Sequence, residues 1–203
     1  TLAGSSAASD VYKRQVEYTP DRKGSYLPEK TRDGRPVRPG NLAEIMPGPE
    51  DTYQSYGYGW ANASNTPYRM FKQFDHEGGI RTPMIAHWPK GISRKGAIIK
   101  SVSHLIDIMP TVLEVTGIES PGIIDGTTAI ARDGHSLAAA FRGEDLASHE
   151  TLFFHHARGR ALRHGKWKLV SISKKKWELY DLESDPLELH NLATKEPGRV
   201  KQL

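Results

Sequence analysis

Thr151-Leu152-Phe153-Phe154-His155, Arg160-Ala161-Leu162-Arg163, Lys166-Trp167-Lys168-Leu169-Val170-Ser171 and Trp177-Glu178-Leu179-Tyr180-Asp181-Leu182 decide the fold. Each run is short, and apolar or aromatic residues recur in it, which reads as strand. His164-Gly165 lies between the second and third runs as a hairpin turn. The four runs together predict a small antiparallel sheet. Ser184-Asp185-Pro186 then turns the chain, and Glu196 to Leu203 begins a terminal helix.

Upstream the period changes. Leu105, Ile108, Met109, Val112, Leu113 and Thr116 recur at helical spacing within Ser103 to Gly117, with Gly117 as the stop. Pro110 fits the first turn of a helix that starts near Asp107. Ser136 to Arg142 is a second short helix, stopped by Gly143. Arg81 to Trp88 reads as a buried strand, closed by Pro89-Lys90-Gly91. Thr66-Pro67 is a helix-start signal for a short helix over Pro67 to Phe74. Strand–helix units leading into an antiparallel sheet make the chain α/β with a small α+β tail.

The first sixty residues are different. Residues 1–15 show no periodicity and read as a disordered or foreign tail. Residues 16–59 are rich in Pro, Gly and charge, so regular elements do not run through them. Tyr53, Tyr56, Tyr58 and Trp60 need a surface to cover, which predicts a long ordered loop lining a cleft.

Composition narrows the function classes. The chain has 203 residues, 37% hydrophobic and 26% charged, which is a globular balance. No run of about 18 apolar residues is present, so no membrane role is expected. There is no Cys, which removes disulfides, thiolate metal sites and Cys nucleophiles from these residues. The net charge of +4 suits an anionic ligand without demanding nucleic acid. Residues 158–176 hold eight Lys/Arg and no acid, whereas residues 177–196 hold six Asp/Glu and one Lys. Such neighbouring blocks neutralise each other across a sheet. The rival reading is a non-catalytic anion-binding module for a sulfated glycan or nucleic acid that uses Arg158 to Lys176, with binding lost when Lys174, Lys175 and Lys176 become Ala.

The chemistry concentrates near Glu77-Gly78-Gly79. Arg69, Lys72, His76, Arg81 and His87 surround that turn in sequence. Two glycines permit a close backbone approach. Cations converging at a strand end in an α/β layer make an oxyanion site. The alternative is a solvated basic face beside an ordinary turn.

Several blocks, in this order, resemble the arylsulfatase family. They are Thr31 to Pro36, Gly59 to Lys72, His76-Glu77-Gly78-Gly79 through Pro89, His104 to Thr111, Asp133 to Leu137, Trp167 to Val170 and Trp177 to Leu182. The resemblance covers about residues 16–203 and only the C-terminal part of the family. It implies a partial alkaline-phosphatase-like mixed sheet with helices, followed by the small C-terminal antiparallel sheet and terminal helix. Residues 16–145 would then be the C-terminal portion of the catalytic domain, and 146–203 a small α+β subdomain.

The same resemblance implies a sulfuric ester hydrolase with a formylglycine nucleophile, made from Cys or Ser, and a divalent cation, usually calcium. Lys72 matches the family lysine that binds substrate sulfate and stabilises the leaving oxygen. His76 and Arg69 are further substrate-binding candidates. His104 and Asp107 are expected to hold a helix start, and His155 and His156 either face the cleft or pack the sheet. The substrate would be a sulfate-ester small molecule or glycan. No Ser here lies in Ser-x-Pro-x-Arg and no Asp-Asn pair occurs, so the calcium ligands and the nucleophile are expected outside these residues. The expectation is a truncated chain that is inactive alone. A phosphoryl-transfer enzyme of the same superfamily is disfavoured by the Lys72 to Gly79 block. Asn62-Ala63-Ser64 matches a glycosylation sequon inside a family block and carries little weight. Compartment and oligomeric state stay open, although export of relatives is compatible with a periplasmic or secreted parent.

Overall fold

The computed structural model describes residues 2–4, 28–40, 43–46, 48–53, 57–72, 74–156, 159–173 and 175–203. In chain order the first elements are β1 (Leu2–Gly4), β2 (Arg38–Pro39), β3 (Thr52–Tyr53), α1 (Gly57–Ala63), α2 (Glu77–Ile80) and β4 (Met84–Ala86). A 3-10 turn at Leu105–Asp107 then leads into α3 (Ile108–Thr116), followed by β5 (Ile123–Ile124), β6 (Thr127–Thr128) and α4 (Ala138–Arg142). The chain finishes with β7 (Thr151–His156), β8 (Gly159–His164), β9 (Trp167–Ile172), β10 (Glu178–Asp181) and α5 (Pro197–Gln202). Two compact units result, one of Thr1–Ala3 with Met84–Leu152, the other of Gly4–Pro83 with Phe153–Leu203. Within the second unit the buried Lys168–Glu77 ion pair ties the segment near residue 77 to the C-terminal strands.

In the second unit the sheet order is β10-β9-β8-β7, and β9 runs antiparallel to both β8 and β10. His164 pairs with Trp167, leaving Gly165-Lys166 as a two-residue loop. Gly165 has φ 55, the sign that such hairpin turns require at their first loop position. Side chains alternate across the strands, so Ala161, Val170, Tyr180 and Leu182 share one buried cluster with Phe154 packed on it. The free edge of β10 is covered. Leu192 N–H donates to Leu179 O at 2.8 Å, and Leu179 N–H donates to Asn191 Oδ1 at 3.1 Å. The charge blocks meet as expected, with Lys166 Nζ 2.7 Å from Asp181 and Lys168 Nζ 2.8 Å from Glu188.

Two local expectations in this unit fail. Pro67 to Phe74 is not a helix; the helix comes earlier, as α1. Asn65 and Thr66 bond back to the carbonyls of Ala61 and Asn62, so they finish α1 and do not start a new helix. The aromatic stretch is likewise no cleft-lining loop where it is described: Trp60 lies in α1 and is 72% exposed. Tyr56 and the Tyr58 side chain fall outside the described residues, as does nearly all of the expected tail at 1–15.

In the first unit, β1 pairs with β4. The expected buried strand at 81–88 shrinks to β4, whose described partner is the three-residue β1, and Ile85 is 71% exposed. Helix α3 ends at Gly117, and α4 at Gly143, both with positive φ, as the sequence predicts. The buried side of α3 is not its apolar stripe, since Leu105, Met109 and Val112 are exposed. Asp107 and Thr111 are buried instead. His135 N–H donates to Asp107 Oδ1 at 2.8 Å, and Leu137 N–H donates to Thr111 Oγ1 at 2.8 Å. Two polar side chains thus satisfy the backbone of the segment that leads into α4. His104 caps the 3-10 turn, and its N–H donates to Asp107 Oδ2 at 2.7 Å, which is the helix-start role expected for both.

Candidate functional site

The Glu77-Gly78-Gly79 turn forms α2 and is pressed against the segment that carries Lys72. Gly78 N–H donates to Arg69 O at 2.9 Å. A Cβ on Gly78 would collide with the carbonyls of Arg69 and Met70, and one on Gly79 with those of Phe71 and Phe74. The double glycine is therefore a packing requirement: the loop lies directly on the turn's backbone. Phe71 is buried and meets the Phe74 ring edge-on at 5.2 Å. Phe74 N–H closes the turn on Phe71 O at 3.1 Å. Lys72 sits half-buried in this Phe71–Phe74 turn.

Beneath the turn lies a dry ionic group. Lys168, in β9, is fully buried, and its Nζ is 2.8 Å from both Glu77 Oε1 and Glu188 Oε1. Glu188 Oε2 accepts the Glu77 N–H at 2.8 Å. Arg81 closes the outer side at 3.7 Å from Glu77 Oε2, with its guanidinium 4.7 Å over the Tyr68 ring. Burial disfavours the charge on Arg163, which stands opposite Lys168 in the ladder.

A second group adjoins it. Tyr180 stands opposite Lys168 on β10, and its hydroxyl donates to Glu178 Oε2 at 2.5 Å. Arg69 donates to the Tyr180 hydroxyl at 2.9 Å and to the Glu188 carbonyl. His76 Nε2 is 3.2 Å from Glu178 Oε2. Burial pushes the Glu178 carboxyl up, but Tyr180, His76 and Arg69 outweigh it and hold it below the usual range. Burial, reinforced by Glu178, pushes the Tyr180 hydroxyl well above its ordinary value. Asp75 is buried with Oδ2 lacking a hydrogen-bond partner among the described residues, and burial pushes its carboxyl up against the pull of His156.

The predicted cations thus separate by role. Arg69 and His76 turn onto Glu178, Arg69 also donates to the Glu188 carbonyl, and Arg81 turns onto Glu77. His76 has no exposed surface, so it does not line a substrate cleft within this unit. His87 belongs to the other unit. His155 lines a groove of about 450 Å³ beside α5, with Phe153, Arg160, Trp177 and Leu203. His156 instead gives its backbone N–H to Asp75. For the rival basic module, Arg158 and Lys174 lie outside the described residues. Arg160 stacks on Trp177 at 4.5 Å, and Lys166 and Lys168 are ion-paired.

Glu188 was not singled out from sequence, although it bonds to both ends of the site segment. It lies in a stretch of alternating charge and turn residues, where only the fold distinguishes it. Lys168 was counted as one of many basic residues. Strand alternation could have found it, because it shares a face with Val170.

Among the described residues no three His, Asp or Glu side chains stand together as a metal site. The carboxylates near the turn already hold Lys168, Arg69, Arg81 and His76. These residues do not fit the calcium that the resemblance implies. Among the described residues no helix is long and apolar enough to cross a membrane.

Residues 67–201 match the family described as N-sulphoglucosamine sulphohydrolase, C-terminal. An uncharacterized sulfatase of Schizosaccharomyces pombe is 34% identical over 155 residues, covering 73% of this chain and 28% of that protein. A choline-sulfatase of Rhizobium meliloti is 34% identical over 138 residues, covering 65% of this chain and 25% of that protein. A solved Bacteroides thetaiotaomicron protein from a glycosaminoglycan-metabolising locus aligns with TM-score 0.54 at 24% identity, over 67% of this chain and 30% of that one. The last likeness is one of fold, and it agrees with the mixed α/β, alkaline-phosphatase-like class read from the sequence.

Proposed function

Because this chain belongs to the sulfatase family, we propose that it is the C-terminal part of a sulfate-ester hydrolase in which Lys72 binds the substrate sulfate. The observation that supports this reading is the seat of Lys72: a half-buried lysine on a loop laid over two glycines and braced by buried ion pairs. In sulfate-ester cleavage the leaving oxygen gains negative charge as its bond to sulfur breaks. A cation fixed beforehand near that oxygen stabilises the transition state more than the ground state. The Lys72 ammonium would neutralise the sulfate on binding and then hold the departing oxygen. Arg69 and His76 contribute by fixing the loop on either side of it.

The nucleophile and the divalent cation belong to the full-length enzyme in this proposal. The substrate is left at its class, a sulfate-ester small molecule or a glycan. The test is hydrolysis of an aryl sulfate with calcium present. The 203-residue chain is expected to show no turnover; turnover above background overturns the assignment of the nucleophile to residues outside it. In parallel, sodium sulfate is titrated against wild type and Lys72→Ala. Binding weakened about ten- to hundredfold supports Lys72 as the sulfate contact, the size expected for one charged hydrogen bond of about 1.5–3 kcal/mol. Unchanged binding removes it.

A further inference from the structure

Glu188 joins three parts of this unit at once. Its carboxylate accepts the Glu77 N–H and meets Lys168 Nζ, each at 2.8 Å, while its backbone carbonyl accepts from Arg69. Arg69 is the first residue of the loop that carries Lys72, and Glu77 is the first of the turn beneath it. One residue therefore clamps the loop and the turn together, and Lys168 fastens both to β9.

The backbone carries a matching sign. Glu188 has φ 57 and Met70 has φ 64, both in the left-handed region. Residues with a Cβ stay there only where their surroundings over-determine them, and such strain gathers where position matters. One of the two is the clamp residue itself, and the other follows Arg69 in the loop it holds. A buried group of two carboxylates and one ammonium is also a poor way to gain stability alone, since apolar packing usually does as well. Such a group does dictate geometry, because each charge must find its partner.

We infer that Glu188 and Lys168 are positioning residues that hold the Lys72 loop in its sulfate-binding place. The inference rests on the proposed role of Lys72 and adds the device that fixes it. Neither residue needs to touch substrate.

The experiment compares Lys168→Met, Lys168→Arg and Glu188→Gln with the wild-type chain. Amide hydrogen exchange is followed residue by residue, and sodium sulfate is titrated against a sodium chloride control. In Lys168→Met, the amides of Gly78, Gly79, Ile80 and Arg81 are expected to exchange about tenfold faster, while those of β8 and β9 keep their protection. Sulfate binding should weaken in step. Lys168→Arg keeps a buried cation and should recover most of the protection, which a purely volumetric role would not give. Protection at 78–81 that is unchanged while the sheet stays intact overturns the inference, as does an equal loss across turn and sheet. If Lys168→Met does not fold, the milder Glu188→Gln decides by the same readout. Exchange needs no ligand, so a Lys72→Ala variant that binds sulfate normally would overturn the Lys72 role and leave the clamp to be judged separately.

Discussion

Replacing Gly78 by Ala tests whether the loop is seated on the turn as described. The new methyl carbon would sit against the carbonyl oxygens of Arg69 and Met70, with the Arg69 carbonyl carbon 2.8 Å away. Ordinary C···O contacts begin near 3.3 Å, so the loop must retreat by roughly 1 Å. That retreat is opposed on three sides. Arg69 O accepts the Gly78 N–H at 2.9 Å, the Arg69 guanidinium holds Tyr180 and Glu188, and Met70 is already left-handed at φ 64.

The magnitude follows from these terms. Overpacking costs about 1–3 kcal/mol. Orphaning a buried N–H adds about 1–3 kcal/mol. The stiffer unfolded chain returns about 0.4–1 kcal/mol. The net expectation is a loss of about 1–5 kcal/mol, which is a large share of the stability of a domain this size. Urea unfolding, followed by tryptophan fluorescence, measures it, with the slope checked for constancy. Gly198→Ala is the control: nothing lies within 4 Å of its Cβ position, and it stands inside α5. There the expected change is a gain of up to about 1 kcal/mol. A Gly78→Ala chain within about 0.5 kcal/mol of wild type, the ordinary range for neutral surface changes, would refute the seating.

Two carboxylates should give opposite pH signatures. Burial pushes the Asp107 carboxyl up, but the N–H groups of His104 and His135 and the His149 ring outweigh it and hold it below its ordinary value. Its stabilising effect is therefore present above about pH 4 and fades as the pH falls through the lowered folded value. Asp107→Asn should cost about 2–4 kcal/mol at neutral pH and flatten the acid limb of the unfolding midpoint; parallel pH profiles would count against this. Asp75 is the reverse case, raised by burial with Oδ2 lacking a hydrogen-bond partner among the described residues. Its contribution is complete below about pH 4 and lost as the pH rises through the raised folded value. Asp75→Asn should be about 1 kcal/mol more stable at pH 7 and unchanged near pH 3; a less stable Asn variant at pH 7 would sink that account.

What could be read from sequence follows the range of the interactions involved. The hairpin at Gly165, the helix stops at Gly117 and Gly143 and the cap at His104 and Asp107 depend on neighbours a few residues away, and all stand where the residues put them. The false helix at Pro67 came from a valid local signal, Thr before Pro. It lost because Asn65 and Thr66 were already committed to ending α1. The apolar stripe of α3 misled for a related reason: periodicity finds a face, but it cannot say that two polar residues on another face are needed by the backbone of residues 135 and 137. The site divides in the same way. Lys72 and the double glycine are close in sequence, and their pairing was legible. Their support comes from Lys168, Glu178 and Glu188, about a hundred residues on; strand alternation hints only at Lys168, and no local pattern marks the two glutamates apart from other charged residues of the same stretch. A lysine among strand residues reads as surface until its carboxylate partners are located. Once Glu77 and Glu188 stand 2.8 Å from it, the same lysine becomes the point through which the sheet controls the loop. The basic character of residues 158–176, from which the rival reading drew an external polyanion, is therefore partly spent inside the molecule.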